Sequence, residues 1–276
     1  MAARGAAALA LGVLLPGLAA AGSISISISP TVDLRDGNLA ATVQVANSGD
    51  EAAHAVTPTF HFRNQDARAT PREALAPKDS MTSELTLPVG DLGNGRWPYR
   101  VAVDYADGNA YPFQALHVGM VVNGTAPPAK VGVTAVDAEP VAGTGRLNVR
   151  VKNLADKARD VTLSVVLPEG VEVSEPSRRI NLGGWAETTF STSLVNRTAL
   201  AGSRYPIFVT AEYDDEGVHQ AALGHGMIEV TNARSFFQAQ RSLLWIVAGV
   251  LVAGWVVLLG WQLASGRLRR AAPPRS

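Results

Sequence analysis

Five carboxylates in two short loops are the residues of this 276-residue chain best placed, by type and spacing, to do chemistry. Asp104 and Asp107 lie in "DYADGN"; Asp214, Asp215 and Glu216 stand in a row in "EYDDEG". Clustered carboxylates are hard oxygen donors, and Ca²⁺ gathers about six to eight oxygens. The second loop is the better calcium candidate, with Asp214, Asp215 and Glu216 as ligands. A β-hairpin turn competes with that reading. Asp107-Gly108 is a favoured pair for such a turn and needs no metal.

The other reactive types are scattered. The histidines are His54, His61, His117, His219 and His225, and with no cysteine in the chain a thiolate zinc cage cannot be built. His219 and His225 are spaced to meet a carboxylate across a hairpin, although solvated strand positions are the expectation. Tyr99, Val101, Val103 and Tyr105 share one face of an alternating run, as do Ile207, Val209, Ala211 and Tyr213. Such aromatics either stack on a sugar ring or fill a core with the hydroxyl on a backbone partner, and core filling is the expectation. "NGT" at Asn123 and "NRT" at Asn196 fit the N-glycosylation triplet. No Ser-His-Asp arrangement, nucleophile elbow, glycine-rich phosphate loop or paired-carboxylate cleft is recognisable. The expectation is a non-enzymatic protein without catalytic residues or cofactor.

The elements that must carry these residues begin behind a leader. Residues 1–21 combine Arg4, a short apolar run broken at Pro16-Gly17, and small residues at Ala19 and Ala21, the pattern of a secretory signal peptide cut after Ala21. "GSISISISPTV", Gly22 to Val32, then puts Ile24, Ile26 and Ile28 on one face and serines on the other, which predicts a half-buried first strand. At the far end Leu243 to Ala264 holds 22 residues without a charge, enough to cross a ~30 Å hydrocarbon core as a helix. Residues 234–242 form a juxtamembrane linker and residues 265–276 a short tail. Arg267, Arg269, Arg270 and Arg275 outnumber Arg234 and Arg241, which predicts a cytoplasmic C-terminus. All 24 acidic residues but only 17 of the 24 basic ones fall within residues 22–233, a net charge of −7. Nucleic acid, which needs a basic footprint, is excluded as a partner.

Between leader and anchor, short alternating runs are separated by Gly, Pro, Asn and Asp clusters, and the series repeats. "VQVANSGDEAAHAVTPTF" matches "VRVKNLADKARDVTLSVV", placing Asn47 over Asn153 and Val45 over Val151. "GRWPYRVAVDYADG" matches "GSRYPIFVTAEYDDEG", placing Pro98 over Pro206 and Tyr105 over Tyr213. A repeat of this length is a whole domain rather than a solenoid unit. The reading is an all-β chain of two tandem immunoglobulin-like β-sandwiches, residues 22–126 and 127–233, joined at Pro127-Pro128 and followed by one transmembrane helix.

The strand followed by "VANSGDEAA" or "VKNLADKARDV", with the late "GRWPYRVAVDYAD" or "SRYPIFVTAEYDD" strand, resembles the CARDB-type bacterial Ig-like modules. That resemblance implies an immunoglobulin-like sandwich repeated in tandem on a bacterial envelope protein, and no particular ligand. The expected protein sits in a bacterial cytoplasmic membrane as a single-pass protein. Its N-terminal ectodomain, periplasmic or extracellular, binds or scaffolds an envelope protein, a membrane complex or a surface glycan. The alternative is an accessory subunit bracing a transporter or a polysaccharide-synthesis complex, with Gly249, Gly254 and Gly260 allowing close helix contact.

Overall fold

The computed structural model describes residues 22–232 and 241–270, with helix side chains described for 245–261. The expected signal peptide (1–21), residues 234–240 of the juxtamembrane linker and residues 271–276 of the tail lie outside the described residues. The described residues form β-strands and one helix, and they divide into two compact units. The first takes in the described residues up to Pro128 together with Asp214–Ala221. The second takes in Ala129–Tyr213 and the described residues from Ala222 onward.

In the first unit, β1 (Ile26–Arg35), β2 (Asn38–Asn47) and β6 (Ser80–Pro88) form one antiparallel sheet in the order β1-β2-β6. The facing sheet holds β3 (Ala53–Phe62), β4 (Gln65–Arg68), β5 (Arg72–Leu75), β7 (Gly95–Ala106) and β8 (Pro112–Asn123). In it β3 pairs with β4, β5 and β7, and β7 also pairs with β8. Alternation puts Leu39, Val43 and Val45 of β2, Phe60 of β3, Leu85 of β6, and Tyr99, Val101 and Val103 of β7 in one core between the sheets. On β1, Ile26, Ile28, Pro30, Val32 and Leu34 turn inward and the residues between them outward. The strand runs straight through Pro30, which an edge strand tolerates because its outer side has no ladder to complete. Asp36 (φ 49°) and Gly37 (φ 74°) make the two-residue turn into β2, two left-handed positions in succession.

The second unit repeats this plan. One sheet runs β9 (Val131–Ala138), β10 (Thr144–Asn153), β14 (Glu187–Asn196) and β12 (Val171–Val173), in the order β12-β14-β10-β9. The other runs β13 (Ser177–Leu182), β11 (Arg159–Val166), β15 (Arg204–Asp215) and β16 (Val218–Glu229), in that order. Its core is filled by Leu147, Val149 and Val151 of β10, Val161 and Leu163 of β11, Phe190 and Leu194 of β14, and Ile207, Val209 and Ala211 of β15.

The aligned asparagines do the same work in both units. Asn47 is 1% exposed and Asn153 0%. The Asn47 carboxamide donates to the carbonyls of Glu51 (2.7 Å) and Leu75 (3.2 Å) and accepts the N–H of Gly49 (3.0 Å). Asn153 donates to Lys157 (2.8 Å), Leu182 (3.1 Å) and Gly183 (2.9 Å) and accepts the N–H of Ala155 (3.1 Å). Each amide thus closes the loop after its own strand and pins a second loop some 30 residues on. The inter-unit segment is also tied down at both ends: Arg96 donates to the Ala126 and Pro127 carbonyls, and the Lys130 N–H donates to the Tyr213 hydroxyl at 2.5 Å.

A helix, α1 (Arg241–Arg270), follows. Its described side chains, Trp245 to Trp261, are all apolar and all exposed. Seventeen residues rise about 26 Å, short of a ~30 Å hydrocarbon core. Among the described residues no helix is long and apolar enough to cross a membrane.

Two substitutions follow from this packing. Asn153→Ala should lower the stability of the second unit by about 3 kcal/mol, because several buried backbone groups lose their partner at about 1–3 kcal/mol each. Asn47→Ala should do the same to the first. Hydrogen exchange over a denaturant series, read separately on the amides of β2 and of β10, separates them; a loss under about 1 kcal/mol would show that water replaces the carboxamide. On β1, Ile26→Asp should cost roughly 2–3 kcal/mol and Ser27→Asp less than about 0.5. Equal costs for the two would overturn the inward assignment of the isoleucines.

Candidate functional site

The acidic loop Asp214–Glu216 is the β15–β16 hairpin turn. Glu216 (φ 53°) and Gly217 (φ 81°) are both left-handed, the signature of a tight two-residue turn whose twist matches the strands. Such a turn splays its side chains instead of converging them. Asp214 Oδ1 lies 2.9 Å from His219 Nδ1 on the opposite arm, so one of the three carboxylates is held by a histidine. Among the described residues no group of three or more His, Cys, Asp or Glu stands where it could hold a metal ion.

The other acidic loop corrects an expectation. Asp107-Gly108 does not form a two-residue hairpin turn; β7 and β8 are joined by five residues, with Ala110 (φ 62°) in the left-handed position. Asp107 is spent inside this loop, accepting the N–H groups of Asn109 (2.9 Å) and Tyr111 (2.8 Å). Those bonds to the ionised form, Tyr111 first, hold its carboxyl below the usual carboxylate range. Asp104 accepts from the Gln114 amide at 2.7 Å and lies 3.5 Å from Arg68.

The tyrosines lie where core filling predicts. Tyr99 and Tyr213 are buried, Tyr105 packs against the first core, and the Tyr213 hydroxyl takes the Lys130 N–H. Both glycosylation triplets have their carboxamides engaged. Asn123 donates to the Leu92 and Gly93 carbonyls, and Asn196 exchanges bonds with Ala199 in both directions. A glycan on either nitrogen would have to displace a loop contact. His54 and His225 lie on strands, exposed, and among the described residues neither belongs to a group of three or more metal-ligating side chains.

The densest polar-aromatic assembly centres on a residue that motif reading passed over. Trp97 of β7 carries the His219 ring on one face, 3.7 Å between centroids and 8° from parallel, and the Arg63 guanidinium on the other at 4.3 Å. Its indole N–H donates to the Gly93 carbonyl at 2.9 Å. His219 is fixed from its backbone as well: its N–H donates to the Asn94 carbonyl at 3.0 Å, and it pairs in parallel with Gly95. Gly95 (φ 145°) leaves room for that approach; a β-carbon there would collide with the His219 carbonyl. Arg63 turns back onto Trp97 from the left-handed position (φ 53°) of the β3–β4 turn.

Beside this stack a cleft of about 220 Å³ is lined by Phe62, Arg63, Asn64, Gln65 and Val89. Ligand pockets commonly hold about 300–1,000 Å³. The cleft offers one guanidinium and two carboxamides, a donor-rich surface able to take a carboxylate or amide of a partner. Trp97 is closed to stacking on both faces. Only His219 of the assembly was singled out by residue type. Arg63 and Trp97 meet it from 156 and 122 positions away in sequence, a juxtaposition no local pattern announces.

No protein-family model matches the chain, and no curated protein matches it. Among solved structures, similar chains are the Salmonella alpha-2-macroglobulin mutant Y1175G (15% identity, TM-score 0.31, covering 76% of this chain and 16% of that one) and Escherichia coli alpha-2-macroglobulin activated by porcine elastase (14%, 0.30, 79% and 23%). Red sea bream transglutaminase is another (12%, 0.27, 76% and 31%). The chain thus spans under a third of the length of each. Likeness at this level carries nothing about fold or activity.

Two histidines of the first unit make its stability pH-dependent. Burial depresses the pKa of His61, helped by Arg100, and burial alone depresses that of His117 beside Tyr99. Below the ordinary value of 6.5 the unfolded chain binds protons that the folded chain resists, so stability is full above that value and falls as pH drops through it. The melting temperature of the first unit should therefore be lower at pH 5.5 than at pH 8, and the His61→Gln/His117→Gln double variant should flatten the difference. A wild-type melting temperature that does not change between these two pH values would overturn the assignment. A separate, more acidic window belongs to Asp50, Asp107 and Asp160, held below 3.8 chiefly by bonds from Ser23, Tyr111 and Asn181, whose contribution is lost as pH falls through their depressed values.

Proposed function

We propose that the chain is a non-enzymatic, membrane-tethered bacterial envelope protein. Its paired sandwiches are CARDB-type Ig-like modules that bind or scaffold a partner outside the cytoplasmic membrane. The observation that carries the tethering is the surface of α1: from Trp245 to Trp261 every side chain is apolar, and every one is exposed. A helix apolar all round needs either a protein core or lipid around it, and this one is not covered by its own chain. The uncharged run in the sequence continues from Leu243 to Ala264, 22 residues, which matches a bilayer. The arginines behind it favour a cytoplasmic C-terminus.

Support for the Ig-like reading comes from the strand plan. Each unit opposes a sheet of the order first-second-sixth strand to one built around its seventh and third, and both copies bury an asparagine at the same place. Support for binding rather than catalysis comes from the site geometry. Asp107, Asp104 and Asp214 hold loops and strands, and the donor-rich cleft beside Arg63 suits recognition. Two modules in tandem raise avidity for a repeating partner when both can engage.

Alkaline phosphatase fused after residue 235 should be active in living bacteria, and the same enzyme fused after residue 276 should be inactive. The reverse pattern, or activity in both, would refute the single-pass topology. For the binding half, a photo-crosslinker at Asn64 should trap a single envelope component in cells, and Arg63→Ala should reduce the yield. Turnover of a substrate by the purified chain, lost on one polar substitution, would overturn the non-enzymatic reading.

A further inference from the structure

Superposing the plan of one unit on the other isolates a place where the second departs from what its fold requires. In the first unit Lys78 occupies the left-handed position (φ 65°) of the loop pinned by Asn47, and its ammonium donates to the Ser48 carbonyl, closing the loop with a polar strap. In the second unit the matching position is Trp185, also left-handed (φ 58°). Its backbone N–H donates to Ala155 at 2.9 Å and Ala186 donates to Gly183 at 3.1 Å, so the stem is as firmly held as in the first unit. The indole, however, is 65% exposed, and Leu154, which stands where the first unit has Ser48, is 47% exposed.

A bulky residue at positive φ is an outlier that packing normally repays. Here most of the residue is left in solvent. Gly183 and Gly184 beside it carry no side chains, and Gly184 is compelled because a β-carbon would strike the Asp156 backbone. The result is a largely exposed indole on a loop whose backbone is held by hydrogen bonds. Two exposed carboxylates stand on the neighbouring backbone: Asp156, whose backbone abuts Gly184, and Glu187, which follows Ala186 and lies 3.4 Å from Arg150. Trp97, by contrast, has both faces covered.

The size of the patch decides what fits. Trp185 and Leu154 together offer apolar area on the order of 200 Å², whereas a stable protein interface buries about 800 Å² on each partner. One sugar ring has a hydrocarbon face that an indole covers and a rim of hydroxyls that carboxylates accept. An exposed platform suits a flat, extended chain better than a coiled one. We propose that Trp185, with Asp156 and Glu187 at its rim, is a carbohydrate platform that takes one ring of a β-1,4-linked pyranose chain. This rests on the reading of the two units as a binding module, and it names the class of ligand.

The test uses the full chain in detergent micelles with its five tryptophans replaced by 5-fluorotryptophan, titrated with chitohexaose, cellohexaose and, as a coiled contrast, maltohexaose. One fluorine resonance should shift saturably with chitohexaose or cellohexaose, at half-saturation on the order of 1 mM, and more weakly with maltohexaose. Trp185→Lys, which copies the first unit and keeps the loop conformation, should remove that resonance and leave the other four unmoved by sugar. Trp185→Phe should retain a weaker response, seen by isothermal titration. The platform is refuted if neither β-1,4-linked hexaose produces a saturable shift, or if a shift survives in Trp185→Lys. In that event a photo-crosslinker at position 185 separates the two readings. Specific capture of an envelope protein would leave the binding module standing without its sugar, and no capture there or at Asn64 would remove both.

Discussion

A carboxamide buried at the end of the second strand of each unit is the constraint on which the rest depends. The loops that link one sheet to the other must cross the rim of the core, where backbone groups are cut off from water and need partners. Asn47 and Asn153 supply two donors and an acceptor from a single short side chain. Aspartate would lack the donors, and leucine would have neither. With those loops fixed, β3 and β11 start in register, and the two sheets meet over one core. In the second unit the Arg159 guanidinium also reaches the Asn153 oxygen at 3.3 Å, beneath the Tyr213 ring, so the same clamp organises a cation as well.

The duplicated plan separates what a sandwich needs from what a particular copy adds. Val45 and Val151, Asn47 and Asn153, and the left-handed loop position are common to both. The polar strap of Lys78 and the bare indole of Trp185 are not. The same contrast appears at the aromatic strands. Tyr213 satisfies its hydroxyl on the segment entering its own unit, while its counterpart Tyr105 stacks on Phe113. Divergence therefore falls on loops and rims, where a change costs the fold little.

Much of this architecture was legible from residue patterns, because sheet faces are written with a period of two. The isoleucines at 24, 26 and 28 announced the inward face of the first strand, and the paired "VAN" and "VKN" segments announced the repeat. Turn chemistry was less dependable. Asp-Gly closes a two-residue turn at Asp36-Gly37, yet Asp107-Gly108 opens a five-residue loop, since Asp107 finds two N–H groups farther along the chain. The Arg63–Trp97–His219 stack was invisible, because it is assembled from segments distant in sequence and because arginine carries no preference for the left-handed conformation that aims it. Trp185 escaped for the same reason. Nothing in "LGGWAE" distinguishes an indole bound for the core from one left in water.

The course of the backbone through the second unit has a mechanical consequence. The chain enters at Val131, paired with Asn153 at one end of the sheet, and leaves at Val230, bridged to Val141 at the other. A pull between those two points runs along the strands, across hydrogen bonds that lie perpendicular to them. The ladder between β9 and β10 is then loaded in shear, so that its bonds must yield together, instead of being peeled apart one by one from an end. A module strung this way resists stretching far better than its modest size suggests, much as a lap joint outlasts a zipper.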